Sequence, residues 1–586
     1  MPDKKKALGF LGVGLLGLGA YLLRKRFIGR LLGLGRPINR VSVERNIPIM
    51  MPDDSTLRAD LFTPLVKGLS PTILVRSPYG RGGPVGPTGL LHDFVANRFA
   101  ERGYNVLVQD VRGCYDSDGE FMPFAHEAED GRGTLEWIEE QPWFNGVLGM
   151  WGPSYLGYVQ WAVAGSGPLY LKALVPVITG ANLPLTGYRD GALAIDTLLR
   201  WIIQLEALDR KGYLKNWFGL RRMSPRGMDR AINRATMELP LIDIDKKVVG
   251  VEVPFVREWM KHLDDPTYWS QFDHSPELSQ VTASSLLVSG WYDILLRELL
   301  DDYASLKSYG RTPYLTIGPW HHLDVEGLTE SLRQGLTWFD AHLKGERSKL
   351  RANPVRIYIM GGGGWREMAA WPPPFKKVLY FLGNDVGEQD REGGSLAMKL
   401  PSEDSEPISY VYDPEKPTPA IGGAVMSVSA GAVDNRTLEE RSDVIIYTTS
   451  PLEKDVEVIG SVRLKLYVRS SLEYTDFFGR LCDLHPDGRS INLCDGLLRL
   501  KPGSGTPQPD GSLLIEIDMW STANRFQAGH SIRLQVSSGA HPRWMRNLGT
   551  NEPLITATKS VPARQTIFHD PEHPSVLILP VVSSQE

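Results

Sequence analysis

The sequence predicts an α/β domain with a helical insertion, followed by an all-β sandwich, on three observations. Residues 41–182 alternate short β-rich apolar runs with helical patterns, as a mostly parallel sheet requires. In residues 183–278 the period turns helical: Leu193, Leu198, Leu199, Ile202, Ile203 and Leu205 recur near helical spacing, and Trp259, Met260, Leu263, Tyr268 and Trp269 add apolar bulk. Beyond about Ala352 the period becomes two. Apolar and polar residues alternate strictly in Val462-Arg463-Leu464-Lys465-Leu466-Tyr467-Val468, and more loosely in Leu514-Ile515-Glu516-Ile517-Asp518-Met519 and Ile532-Arg533-Leu534-Gln535-Val536. The expected division is a membrane-directed segment over 1–40, an α/β domain over 41–182 and 279–350, a helical cap over 183–278 and a β-sandwich over 351–586.

At 586 residues the chain exceeds what one core supports. A hydrophobic content of 42 %, a charged content of 23 % and a mean hydropathy of −0.20 exclude a polytopic membrane protein and a disordered chain. A net charge of −5 gives no reason to expect a nucleic-acid partner. Cys114, Cys482 and Cys494 show neither metal-ligand spacing nor a disulfide framework and read as buried thiols, with a Cys482–Cys494 pair open if the two face each other across strands.

The N-terminal segment is of another kind. Lys4-Lys5-Lys6 precedes the uncharged, mostly apolar residues 7–23, and Arg24-Lys25-Arg26 follows. This run sits at the lower length limit of a membrane span and no small-x-small cleavage site follows it, so an uncleaved anchor is expected rather than a removed signal. Lys and Arg are more numerous after the run than before it, which places the body on the cytoplasmic side by the positive-inside rule.

In the α/β part, Thr72-Ile73-Leu74-Val75-Arg76 reads as a strand running into the turn Ser77-Pro78-Tyr79-Gly80. Asn105-Val106-Leu107-Val108-Gln109 is the next strand. Asp110 and Arg112 just beyond it read as an ion pair pinning the loop, and Asp116-Ser117-Asp118-Gly119-Glu120, too short for a calcium loop, reads as a turn. Val147-Leu148-Gly149-Met150-Trp151 is a buried strand ending in Gly152-Pro153-Ser154-Tyr155-Leu156-Gly157. A serine on a sharp strand-to-helix turn exposes its hydroxyl above the sheet, and glycines fence it where helix and strand pass too close for side chains. The second glycine comes one place later than in the commonest elbow.

Two further strands end in polar groups. Ser285-Leu286-Leu287-Val288-Ser289-Gly290 leads into Trp291-Tyr292-Asp293, and Tyr314-Leu315-Thr316-Ile317 into Gly318-Pro319-Trp320-His321-His322, with a closing helix around residues 334–340. Ser, Asp, His is the chain order of α/β-hydrolases. Ser154 is then the nucleophile, a histidine its base, and Asp293 the group that holds the imidazole; a helix N-cap is the local alternative for Asp293. The backbone N–H of Tyr155, directly after the nucleophile, is the first oxyanion donor.

These words resemble the cocaine esterase and X-Pro dipeptidyl-peptidase family of serine hydrolases. The resemblance is carried by Arg76-Ser77-Pro78-Tyr79, Gln109-Asp110-Val111-Arg112-Gly113, the word from Gly149 to Gly157, Trp291-Tyr292-Asp293 and Gly318-Pro319-Trp320-His321-His322. Asp483-Leu484-His485-Pro486-Asp487-Gly488 and Gly529-His530-Ser531-Ile532-Arg533-Leu534 extend it, so that it spans roughly residues 42–582. It implies that the late glycine is the family's own form of the elbow, that His322 rather than His321 is the base, that the Tyr79 hydroxyl is the second oxyanion donor, and that the β-sandwich is a jelly roll.

A serine hydrolase acting on a small acyl ester or a short peptide is therefore expected, without cofactor or metal. An inactive membrane-tethered scaffold and a lectin-like binder on the sandwich are the competing classes. An X-Pro dipeptidyl peptidase must also hold a free amino terminus, which asks for a buried carboxylate near Ser154. Asp190, Asp196 and Glu206 are the nearest candidates, none clearly placed, and Asp190 has Arg189 as a neighbour with which to pair. Ester cleavage, with dipeptidyl-peptidase and amino-acid ester hydrolase activity as alternatives, is the expectation; the oligomeric state is not legible.

Overall fold

The computed structural model describes residues 29, 32–34, 36–83, 86–183, 187–207, 224–384, 393–401 and 405–583. Its first half is built on β1 (Val41–Met50), β2 (Thr56–Pro64), β3 (Ser70–Ser77), α1 (Gly86–Ala100), β4 (Asn105–Asp110), α2 (Glu127–Glu139), β5 (Phe144–Pro153), α3 (Tyr155–Ala164) and β6 (Leu171–Val177). The chain then leaves the sheet. A small hairpin, β7 (Tyr188–Arg189) and β8 (Ala192–Leu193), precedes the cap helices α4 (Ile195–Ala207), α5 (Pro225–Met237), α6 (Ile244–Val249), α7 (Pro254–Lys261) and α8 (Pro266–Ser270). It returns through β9 (Ser284–Tyr292), α9 (Leu296–Ser308), β10 (Tyr314–His321), α10 (Val325–Leu343), β11 (Val355–Ile359) and β12 (Gly364–Met368).

The ten strands order as β1-β2-β4-β3-β5-β6-β9-β10-β11-β12. The run from β4 to β11 is parallel, and β1, β2 and β12 pair antiparallel at the edges. Every residue of β3 and β4 is buried, as expected of strands covered by helices on both faces. Two of the cap helices start where the sequence supplies both an acceptor and a proline: Ser224 caps α5 and Asp265 caps α8, each followed by Pro at the first helical position. Leu199, Ile202, Ile232 and Phe255 of the cap share one core with Val75, Val108 and Tyr155, so the cap is fused to one face of the sheet.

The second half is an all-β sandwich of β13 (Lys376–Gly383), β14 (Gly394–Ala397), β15 (Ile408–Tyr412), β16 (Ile445–Thr448), β17 (Val456–Ser470), β18 (Thr475–Leu484), β19 (Ser490–Leu500), β20 (Thr506–Pro507), β21 (Leu513–Phe526), β22 (Ser531–Ser537), β23 (Ala563–Phe568) and β24 (Val576–Val582). Strands β11 and β12 have the period of two, but β11 pairs parallel to β10 and extends the first sheet. Alternation marks a strand and leaves open which sheet it joins. Cys114, Cys482 and Cys494 are free and buried; a bulge sets Cys494 opposite Leu481 and Asn492 opposite Cys482, so the open Cys pairing is not formed.

Two smaller readings change. Asp110 and Arg112 do pin loops, but with other partners: Asp110 holds Arg81 at 2.5 Å, and Arg112 holds Asp130 at 2.5 Å and Asp53 at 2.7 Å. The N-terminal segment does not end uniformly at 40. Leu34 is 6 % exposed and packs with Phe62 and Phe99, Arg333 donates to the Leu32 carbonyl at 2.7 Å, and the Ile38 and Asn39 N–H groups both reach the Glu101 carbonyl. Residues 7–23, where the anchor was expected, lie outside the described residues; among those described no helix is long and apolar enough to cross a membrane.

Candidate active site

Strand β5 stops at Pro153, α3 starts at Tyr155, and Ser154 between them has φ 56° and ψ −121°. A non-glycine residue held there costs roughly 1–3 kcal/mol, which the surroundings must offset. They do so with hydrogen bonds. The Ser154 N–H donates to Val177 O at 2.8 Å, and the Ser154 carbonyl accepts from the Gly157 N–H and the Thr179 hydroxyl, each at 2.8 Å. Both fencing glycines are required by space: a Cβ at Gly152 would lie 2.3 Å from the Cβ of Leu156, and one at Gly157 would lie 2.4 Å from Cγ2 of Thr179.

Asp293 and His322 lie just past the ends of β9 and β10, at the same edge of the sheet as Ser154. His322 Nε2 is 3.2 Å from Ser154 Oγ, and His322 Nδ1 is 2.7 Å from Asp293 Oδ2. Asp293 is fully buried and its other oxygen accepts the Leu295 N–H at 2.8 Å, which closes the turn before α9; the N-cap position of α9 is Leu295, so the helix N-cap read as the local alternative is not what Asp293 forms. His321 points elsewhere. Its ring nitrogen accepts the Leu323 N–H and its own N–H donates to Asp324, which fastens the turn.

Tyr155 opens α3, so its N–H is one of those at a helix N-terminus that lack an acceptor within the helix. Its side chain is anchored below: the hydroxyl donates to Glu127 Oε1 at 2.6 Å and accepts from the Phe124 N–H at 3.0 Å. Burial, and then the Glu127 charge, push this phenol well above its usual range, so it remains a donor. Burial also raises the Glu127 carboxyl, against the pull of the Arg76 guanidinium 3.0 Å away. Tyr79 sits on the loop after β3, its N–H held by the Ser77 hydroxyl at 3.0 Å, while Trp201 of α4 donates its indole N–H to the Tyr79 oxygen at 2.9 Å.

A cavity of about 130 Å³ joins these groups: Tyr79, Ser154, Tyr155 and His322 line its floor. Its walls are apolar. The cap supplies Trp201, Trp259, Met260, Leu263 and Trp269, and Met426 reaches in from the sandwich half. Of the aromatics singled out in the cap sequence, Trp259 and Trp269 line the cavity and Tyr268 does not. Trp201 and Met426 carried no signal, because a tryptophan on an amphipathic helix looks the same whether it fills a core or walls a pocket.

No Asp or Glu is among the described residues lining the cavity. Asp190 pairs with Arg297 at 2.8 Å, and Asp196 pairs with Arg200 at 2.9 Å. One group among the described residues has the atoms for a metal ion, Asp483, His485 and His530 of the sandwich, whose candidate ligand atoms lie within 4.8 Å of one another. There the His530 Nδ1 and Asp483 Oδ1 atoms already bond to each other at 2.8 Å.

A strained serine on a strand-to-helix turn, backed by an imidazole and a buried carboxylate at the ends of later strands of a mostly parallel sheet, defines a serine hydrolase of the α/β-hydrolase class. Comparison with known proteins narrows this. Residues 53–324 match the model of the X-Pro dipeptidyl-peptidase (S15) family, and residues 349–578 match the X-Pro dipeptidyl-peptidase C-terminal non-catalytic domain. The chain is 32 % identical over 582 residues to cocaine esterase of Rhodococcus sp., an alignment covering 92 % of this chain and 99 % of that one. It belongs to this S15 family of serine hydrolases, the one that includes cocaine esterase. Solved structures agree on the fold. An aminopeptidase from a marine sediment archaeon (Thaumarchaeota archaeon) superposes with a TM-score of 0.77 at 22 % identity, and an α-amino acid ester hydrolase with 0.75 at 22 %, each covering 93 % of this chain and 97 % of the other.

Proposed function

We propose that this serine hydrolase is an esterase for small acyl esters with an apolar acyl group. Ser154 Oγ attacks the ester carbonyl while His322 Nε2 accepts its proton, a role worth typically ~10²–10⁴-fold. Asp293 holds the Nδ1–H tautomer and stabilises the imidazolium without taking the proton. The oxyanion is met by the Tyr155 N–H and the Tyr79 hydroxyl. The imidazolium then protonates the departing alkoxide, leaving an acyl-Ser154 ester, and water activated by His322 releases the acid. The 3.2 Å and 2.7 Å contacts support this order of proton transfer.

The observation that carries the ester over the dipeptide is the wall of the cavity. A free α-ammonium needs a carboxylate beside it, and the described lining offers none, while Asp190 and Asp196 are each committed to an arginine. On a small nitrophenyl butyrate the specificity constant is expected to exceed that on Ala-Pro-nitroanilide, with no gain from a free α-amine. A higher value on the dipeptide overturns the ester reading and leaves the Ser154 assignment standing.

We also propose that residues 7–23 tether the enzyme to a membrane with its body on the cytoplasmic side. Deleting residues 1–28 is expected to move the protein from the pellet to the supernatant at unchanged turnover; a full-length protein that is soluble without detergent ends this proposal. Deleting residues 1–40 instead is expected to lower the melting temperature, since it exposes the site that Leu34 fills, about 1.5–3 kcal/mol for a leucine side chain. Equal melting temperatures for the two truncations would show that Leu34 adds nothing.

A further inference from the structure

We infer that Trp201 is a positioning residue for the hydroxyl of Tyr79. The inference rests on the reading of Tyr79 as the second oxyanion donor. Indole N–H is a donor only, so the 2.9 Å contact between Trp201 Nε1 and the Tyr79 oxygen has one possible polarity: the tyrosine accepts. A phenol carries a single proton, which conjugation keeps in the ring plane on one side of the oxygen or the other. With one side taken by the indole, the proton faces the other way and is available to a carbonyl oxygen bound beside Ser154. The same donation polarises the O–H bond and strengthens it as a donor. Burial raises the Tyr79 phenol and the Trp201 bond pulls it back down, in keeping with that polarisation.

Trp201 can do this because it is itself immobilised. Its ring stacks on Phe124 with centroids 6.1 Å apart at 17°, on Trp259 at 6.1 Å and 11°, and on Tyr155 at 6.3 Å and 26°. Tyr155 brings the first oxyanion donor on its backbone, so one aromatic stack links both donors. Trp201 belongs to the cap, on α4, whereas Tyr79 belongs to the α/β domain, on the loop after β3. The oxyanion site is thus completed across the boundary between the two, and the second donor is oriented only while α4 is docked.

The test is Trp201→Phe, which keeps a ring in the stack and removes the N–H. On a short nitrophenyl ester kcat is expected to fall about tenfold with KM within about twofold, the worth of one neutral hydrogen bond. Affinity for a trifluoromethyl ketone, whose adduct on Ser154 carries the oxyanion, should fall by the same factor as kcat/KM. In a Tyr79→Phe background the Trp201→Phe change should cost less than about twofold, because the donor it orients is gone. If phenylalanine loosens the stack, as a lower melting temperature would reveal, β-(3-benzothienyl)alanine at 201 keeps the size and lacks the N–H. Unchanged kcat in the Trp201 variants beside a collapsed Tyr79→Phe overturns the inference and leaves the oxyanion reading intact, and so do strictly additive losses. A fully active Tyr79→Phe removes both.

Discussion

Replacing Ser154 by alanine is expected to lower kcat by ~10⁴–10⁶-fold, His322→Ala by a similar factor, and the double variant by little more than either. The physical reason is that neither group works alone. A serine hydroxyl at neutral pH is a poor nucleophile until a base takes its proton, and among the described residues the imidazole nitrogen within hydrogen-bond reach of Ser154 Oγ is Nε2 of His322, at 3.2 Å. Once either is gone, turnover falls to what the oxyanion donors and substrate binding supply by themselves. The adjacent histidine gives the control. His321 is tied to Asp324 and to the Leu323 N–H, so His321→Ala should lose less than about tenfold, through the turn rather than through the chemistry. A fluorophosphonate should label Ser154 and no other serine. Multiplying losses in the double variant, or a ranking with His321 above His322, would require a different base.

What could be read in the chain beforehand follows from which features have a local cause. The elbow was legible because its strain is local: a backbone at φ 56° between a strand and a helix leaves no room for a Cβ at Gly152 or Gly157, and the sequence records that as two glycines around one serine. Asp293 and His322 were legible because each ends an apolar run at a strand terminus, where a parallel sheet presents its side chains. The S15 membership and the α/β-plus-sandwich plan expected from those words stand. What was not legible is set by distant partners. Asp110 meets Arg81 rather than Arg112 because the loop after β3 folds back over β4, and nothing within the word Asp110-Val111-Arg112 encodes that. Leu34 reads as part of a targeting tail because the core it enters is made by residues far along the chain. Strands β11 and β12 have the alternation of a sandwich, and only the pairing of β11 with β10 and of β12 with β11 assigns them to the first sheet.

Tyr79→Phe is expected to reduce kcat by ~10²–10³-fold, or about 2.7–4 kcal/mol, with KM for a small ester changed little. The substitution removes one oxygen atom from a side chain on a loop that other groups hold: the Tyr79 N–H stays on the Ser77 hydroxyl, and Arg81 two residues on stays on Asp110 and Asp60. Structure around Ser154 should therefore persist, and fluorophosphonate labelling, which checks the nucleophile and base, should still reach Ser154, at a reduced rate. The loss falls on kcat because the hydroxyl meets charge that is small on the ground-state ester and large on the tetrahedral intermediate. The Tyr155 N–H remains, which keeps the variant above the Ser154→Ala level. Tyr79 is also half-buried beside an indole that donates to it, so the phenylalanine leaves that N–H without its acceptor and adds a cost of up to about 1–3 kcal/mol to stability. A melting curve and a kcat measured well below the transition separate the two effects. Loss of melting temperature with kcat retained would assign Tyr79 to packing and leave Tyr155 as the single donor in need of a partner.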